Sequence, residues 1–160
     1  METTQALIPG SSRDFDADDE TIVRAISVLR SRFRDRDVFA SPDAVKDFLR
    51  LQAQGLDHAV FAVMYLDAHN RLIDYERIFR GTLTQTSVYP REIVKGALAC
   101  GAAAVVLHHN HPSGIVTPSR SDEALTRTLK GALALVDVLV VDHIISSDAG
   151  VLSMAEAGLA

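Results

Sequence analysis

His108-His109-Asn110-His111-Pro112-Ser113-Gly114-Ile115-Val116-Thr117-Pro118-Ser119-Arg120-Ser121-Asp122 is the stretch from which the rest of this chain is read. Ahead of it lies Gly101-Ala102-Ala103-Ala104-Val105-Val106-Leu107, small and apolar, the composition of a buried strand. Behind it, Glu123 to Val136 repeats apolar residues at helical spacing. The polar cluster therefore falls where a buried strand opens into a loop and a helix begins. That is where α/β folds commonly place ligands.

Spacing carries more information than the histidine count. On an extended backbone, side chains two apart point the same way. His109 and His111 can present their imidazoles to one point, while His108 faces the opposite side. Zinc accepts imidazole nitrogen and carboxylate oxygen, and a catalytic zinc keeps one position for water. Asp122, on the first turn of the following helix, is the candidate third ligand. The loop that returns it is bent by Pro112, Gly114 and Pro118. A second reading of the same residues needs no metal: Ser119 caps a helix, Asp122 complements its dipole, and Pro112-Ser113-Gly114 is turn chemistry. That reading leaves two histidines at i, i+2 on a strand end unexplained.

Composition narrows the class. A chain of 160 residues with 48% apolar content supports one globular domain with a sizeable core. The formal net charge of -5 provides no overall basic field for nucleic acid. The one dense basic run, Arg30, Arg32, Arg34 and Arg36, is interrupted by Asp35 and Asp37 and reads as the solvated end of a helix. Cys100 is the sole cysteine, which suits a reducing cytosol and a structural thiol. It also removes the zinc-deaminase reading, which needs a paired C-x-x-C. No apolar run approaches a membrane span, and the N-terminus lacks a signal-peptide core. A cytoplasmic protein is expected.

Taken in order, residues 1–18 read as a flexible tail and residues 19–55 as a helical extension. In the extension, Ile22, Val23, Ile26, Val28, Leu29 and Phe33 form one apolar stripe. A second helix starts at Ser41-Pro42-Asp43, with Ser41 as cap, and ends at Gly55. Residues 56–160 form the main domain. Ala59 to Leu66 reads as a buried strand, Asp67-Ala68-His69-Asn70 as a turn, and Arg71 to Arg80 as a second strand. Gly81 to Ser87 suits an extended segment. Pro90 to Cys100 is a helix with Ile93, Val94, Ala97 and Leu98 inward. Ala102 to Leu107 is the central strand. Ser119 to Val136 is a helix with Ala124, Leu125, Leu129, Ala132, Leu133 and Val136 inward. Val138 to Ile145 is a strand carrying Asp142 and His143, neighbours that point to opposite faces. They suit a core role, or that of orienting a ligand histidine, better than a second metal pair. Asp148-Ala149-Gly150 turns the last hairpin, and Val151 to Met154 pairs back. This order makes an α/β fold, a mixed sheet flanked by helices.

The pattern His109-x-His111, then Ser119, then Asp122 resembles the JAMM motif of JAB/MPN metalloproteases. The fuller wording, His109-Asn110-His111-Pro112-Ser113-Gly114 with Pro118-Ser119 and Asp122, resembles the RadC family within that clan. The likeness extends through Phe61 to Asp67, Gly81-Thr82, Tyr89-Pro90-Arg91-Glu92 and Val141-Asp142-His143-Ile144. It implies a cytidine-deaminase-like fold and a zinc-dependent peptidase or isopeptidase acting on a protein or peptide. By the same likeness His109, His111 and Asp122 would bind Zn²⁺, and Ser119 would hold the oxyanion or the zinc-bound water.

One departure matters. The family pattern places a glutamate two residues before the phenylalanine, as general base, and Ala59 stands there. General acid–base groups contribute about 10²–10⁴-fold in rate, so the chain is expected to be impaired as a peptidase. Asp57 could replace it only with a register slip of two; Glu76 and Glu92 are the next nearest glutamates. Natural loss of the base and a substitution introduced on purpose both fit an alanine there. The alternative function is a non-catalytic module that keeps zinc as a staple and binds a protein or DNA partner, DNA being suggested by the family's association with DNA repair. RadC-type proteins often carry a helix–hairpin–helix DNA module, and no glycine-centred hairpin of that kind is present here.

Overall fold

The computed structural model describes residues 17–81 and 87–160. Two helices come first, α1 (Ala17–Asp35) and α2 (Pro42–Gln52), joined by a 3-10 turn at Val38–Ala40. Strands β1 (Val60–Leu66) and β2 (Leu72–Arg80) form a hairpin, followed by α3 (Pro90–Cys100). Then come β3 (Ala104–Asn110), α4 (Arg120–Ala134), β4 (Leu139–Ser147) and β5 (Gly150–Ser153). The sheet order is β2-β1-β3-β4-β5, with β3 in the middle. Only β3 and β4 run parallel, linked through α4; the other neighbours are antiparallel. The expected order of strands and helices is the observed one, and the fold is a mixed sheet flanked by helices.

Alternation along the strands sorts the core into two layers. Phe61, Val63 and Tyr65 of β1, with Val105 and Leu107 of β3, pack against Ile93 and Ala97 of α3 and Leu129 and Leu133 of α4. Met64 and Leu66, with Ala104 and Val106, face the other way onto Phe33 of α1 and Val45, Phe48 and Leu49 of α2. The sheet is thus covered on both sides, which explains why β1 and β3 read as continuous apolar runs rather than alternating ones. Each large side chain so buried contributes about 1.5–3 kcal/mol. At Gly96 α3 lies close to the sheet: a Cβ there would clash with the Tyr65 hydroxyl.

Turn chemistry behaves as the residue types dictate. Asp67 accepts from the amides of His69 and Arg71 and closes the β1–β2 turn, where Asn70 takes φ 56° and His69 is exposed. Ser147 pairs with Gly150 across the last hairpin.

Several expected details differ. Ser41 sits at the start of α2, but its side chain makes no capping hydrogen bond. It also closes the preceding 3-10 turn, its amide bonding to Val38 O, which ties its backbone to that turn. The helix α2 stops at Gln52, and Gly55 lies in the turn beyond. On α1 the inward stripe is Ile26, Leu29 and Phe33, while Val23 and Val28 are exposed because they fall off its helical spacing. Leu98 and Ala124 are exposed for the same reason. Cys100 is partly buried. Arg30 pairs with Asp74 at 2.6 Å, and Arg32, Arg34 and Arg36 are exposed at the end of α1. Almost all of the expected tail, and residues 82–86 of the threonine-rich segment, lie outside the described residues. Among the described residues no helix is long and apolar enough to cross a membrane.

Candidate metal centre

The strand β3 runs three residues past Leu107, to Asn110. Paired to β1 on one side and β4 on the other, it keeps the histidines extended despite their polarity. His109 therefore shares the face of Val105 and Leu107, toward α4, and His108 points to the α1/α2 side. The amide of His111 donates to Ser146 O at 2.8 Å, prolonging the β3–β4 ladder by one step. That keeps His109 and His111 on one side. The chain then turns at Gly114, whose φ of +87° and bond to His111 O at 3.0 Å suit glycine.

Ser119 begins α4 with a capping box. Its Oγ accepts from the Asp122 amide at 3.1 Å, and the Asp122 Oδ2 accepts from the Ser119 amide at 2.7 Å. The helix-cap reading and the ligand reading of these residues are thus one arrangement. The box fixes the Asp122 rotamer and turns its carboxylate toward the strand end. Asp122 Oδ1 lies 3.3 Å from His109 Nε2, and Oδ2 lies 3.4 Å from His111 Nε2.

The two imidazoles meet at Nε2, 2.8 Å apart. One ligand atom from each of His109, His111 and Asp122 can be chosen so that all lie within 4.8 Å of one another. His111 Nδ1 lies 2.6 Å from Ile115 O. A carbonyl only accepts, so the His111 proton sits on Nδ1 and the Nε2 lone pair faces the centre. Three electron-rich atoms this close can share a cation, either a proton or a metal ion. Donors around a tetrahedral zinc at about 2.0–2.1 Å would stand roughly 3.3 Å apart, close to the spacings seen. The donor set fits a metal ion.

Electrostatics agree with that geometry. Burial opposes ionisation of Asp122, but its contacts with His109 and His111 and the hydrogen bond from the Ser119 amide outweigh it and hold the carboxyl far below the usual carboxylate range. The Asp122 contact raises His111 above the ordinary imidazole value, against the opposing effect of burial. Burial pushes His109 down despite the same carboxylate. A carboxylate and a neutral His109 are the protonation states a cation needs.

Behind His109 stands His143. Its Nε2 is 2.7 Å from His109 Nδ1, and its Nδ1 is 2.6 Å from Thr126 Oγ1. Phe61 walls both rings, stacked on His109 and edge-on to His143. Asp142 turns away, as strand alternation requires, and binds the Ser153 hydroxyl at 2.6 Å and the Ala155 amide at 3.0 Å. Thr126 was not visible as a site residue in the sequence. The sequence shows only that a hydroxyl falls one turn after Asp122; its contact with His143 is made by the fold.

Ala59 precedes β1. The register of β1 on β3, Phe61↔His109 and Ala62↔His108, would set position 59 opposite His111 if continued by two steps, on the face of His109. Asn110 clamps this end: its Oδ1 accepts from the Val60 amide at 2.7 Å, and its Nδ2 donates to His58 O at 3.0 Å. No register slip brings Asp57 in; its side chain is 93% exposed and pairs with His58. Glu92 pairs with Arg91 and Lys95, and Glu76 lies 3.5 Å from the Tyr65 hydroxyl. Among the described residues neither glutamate joins the ligand group.

A five-stranded mixed sheet with a His-x-His strand end facing an aspartate on the next helix defines a JAB-type domain with a candidate metal centre. More narrowly, the chain belongs to the RadC-like JAB domain family, whose sequence pattern matches residues 39–159. It is 55% identical to a UPF0758 protein of Leptothrix cholodnii over 159 residues, covering 99% of this chain and 70% of the relative. A UPF0758 protein of an Acidovorax species (strain JS42) is 63% identical over 131 residues, 82% of this chain and 55% of the relative. One from Methylibium petroleiphilum is 59% identical over 131 residues, covering 82% of this chain and 59% of the relative. The chain thus spans little more than half the length of several relatives.

Proposed function

We propose that this chain is a zinc-binding domain of the RadC/JAMM metallopeptidase type, acting on a peptide or isopeptide bond and impaired by Ala59. The observation that supports it most is the convergence of His109 Nε2, His111 Nε2 and the Asp122 carboxylate, with the proton of His111 held away on Nδ1. Those three residues would hold the ion. When bound, zinc acidifies a water and polarises a carbonyl. Ser119 uses its oxygen as the cap acceptor, so its hydroxyl proton is free to donate to a developing oxyanion. Position 59, across from His111, is where a proton acceptor would stand, and a methyl group takes no proton.

The test is metal content followed by restoration of the base. Protein purified without chelator should carry one zinc per chain by elemental analysis, and His109→Ala none. Metal-free wild-type protein under those conditions would overturn the reading. Zinc-loaded Ala59→Glu should hydrolyse members of a fluorogenic peptide and isopeptide library about 10²–10⁴-fold faster than the wild type. A library left uncut by that variant removes the peptidase assignment.

Ala59 itself favours a second reading, a non-catalytic module that keeps the ion as a staple and binds a partner. Tight binding of a protein tail by wild type, with the glutamate variant still inert, supports it. A DNA mobility shift that weakens steeply with salt would identify DNA as the partner.

A further inference from the structure

We infer that Thr126 and His143 are positioning residues that fix the tautomer of His109, so that its Nε2 lone pair is the one offered to the ion. The inference rests on the metal reading above and concerns residues which that reading leaves without a role. It follows from counting protons along a chain of four groups.

The chain begins at a backbone carbonyl. The Thr126 hydroxyl lies 2.7 Å from Asp122 O, one helical turn earlier. This carbonyl can only accept, and a helical threonine commonly gives its hydroxyl proton to the carbonyl four residues back, which places the single Thr126 proton there. With its proton committed, Thr126 Oγ1 can only accept from His143 Nδ1 at 2.6 Å. The neutral His143 ring therefore carries its proton on Nδ1 and has a bare Nε2. Across 2.7 Å, that nitrogen accepts from His109 Nδ1. The proton of His109 is thus held on the side away from the centre, and Nε2 is left open toward Asp122 and His111.

The surroundings block the alternatives. His143 is fully buried and Thr126 likewise, so water cannot replace a lost partner. Phe61 holds both rings in place. The sulfur of Met154, 3.7 Å from Thr126 Oγ1, is a weak acceptor and competes poorly with the carbonyl. Two devices thus orient the two ligand histidines. His111 is set directly by a carbonyl at Ile115, and His109 is set through a relay that starts at a carbonyl of α4. The relay's origin is the carbonyl of Asp122, the residue that also supplies the carboxylate. Helix position, proton position and ligand are coupled through one residue.

Thr126→Val tests this because valine keeps the shape and removes the hydroxyl. Without it, His143 is released to carry its proton on Nε2, which drives the His109 proton to its own Nε2 and blocks the ligand atom. Long-range ¹H–¹⁵N correlation spectra of the metal-free protein, labelled at histidine, read the tautomers directly. In wild type, His109 and His143 should both be protonated at Nδ1. In Thr126→Val, the Nε2–H form should appear on both rings. Zinc affinity, measured by chelator competition, should fall about 10- to 100-fold, the usual cost of losing a group that orients a ligand. Thr126→Ser should restore both readouts. Wild-type His109 protonated at Nε2 would overturn the inference. So would a valine variant with unchanged tautomers and affinity, or a serine variant that fails to rescue. Failure of the wild type to bind zinc would sink the metal reading instead, while the tautomer spectra still decide this one.

Discussion

His108 and His109 are neighbours on one strand, and both are buried, yet their environments differ in kind. His108 faces the α1/α2 layer, where both ring nitrogens have a hydroxyl partner: Tyr75 at 3.1 Å on Nδ1 and Ser146 at 2.8 Å on Nε2. Burial pushes it down to about 3, and nothing charged opposes that. His109 faces α4, where one nitrogen is satisfied by His143 and the other is aimed at a carboxylate and a second lone pair. Burial alone does not mark a ligand. What separates the two is whether the hydrogen-bond account closes within the protein.

Exchanging the two sides experimentally should give the largest effect first. His109→Ala is expected to abolish stoichiometric zinc, whereas His108→Leu should retain it, with both read by elemental analysis. Equal metal loss in the two variants would erase the distinction. The next effect is on folding. His108→Leu takes one partner from Tyr75 and strands the buried Ser146 hydroxyl, and chemical denaturation should show a loss of about 1–3 kcal/mol for that buried group left unsatisfied.

Acid should sharpen the contrast further. A histidine whose folded value is lowered leaves the unfolded chain with more bound protons, so stability falls as pH drops below the unfolded value near 6.5. For His108 that loss continues to about pH 3, with a slope approaching about 1.4 kcal/mol per pH unit. Metal-free His108→Leu should show a shallower acid limb by about that slope. His111 acts in the opposite sense. Its raised value makes a contribution that is full below about pH 6.5 and fades as pH climbs through the folded value. Zinc competes for the same nitrogen, so apparent affinity should rise with pH over that window, as competition titrations would show. The smallest expected effect is at Asn110. Asn110→Ala removes two bonds to the segment before β1 and should cost about 1–2 kcal/mol by denaturation.

Much of this was legible because local rules and the fold agree. Apolar runs, turn residues and helical spacing place the described strands and α-helices, though not the 3-10 turn at Val38–Ala40, and His109, His111 and Asp122 stand out by spacing. The mismatches have one physical cause, context beyond the local window. The end of β3 was read three residues short because His108, His109 and Asn110 look like a loop; pairing on both edges makes them strand. Leu98, Ala124, Val23 and Val28 belong to the apolar stripes expected from pattern, yet each stripe is wider than the face its helix buries, and these four stay exposed. The contact of Thr126 with His143 joins a helix to a strand across 17 positions, and no pattern in either segment encodes it.

The ligand set lies wholly within residues 109–122, one strand end, one loop and one helix turn, while position 59 reaches it from another part of the chain through antiparallel pairing. Grip and reactivity therefore have separate addresses in the gene. Under the proposed function, a single codon change at position 59 would silence the chemistry while leaving the candidate ligands and the helix cap untouched.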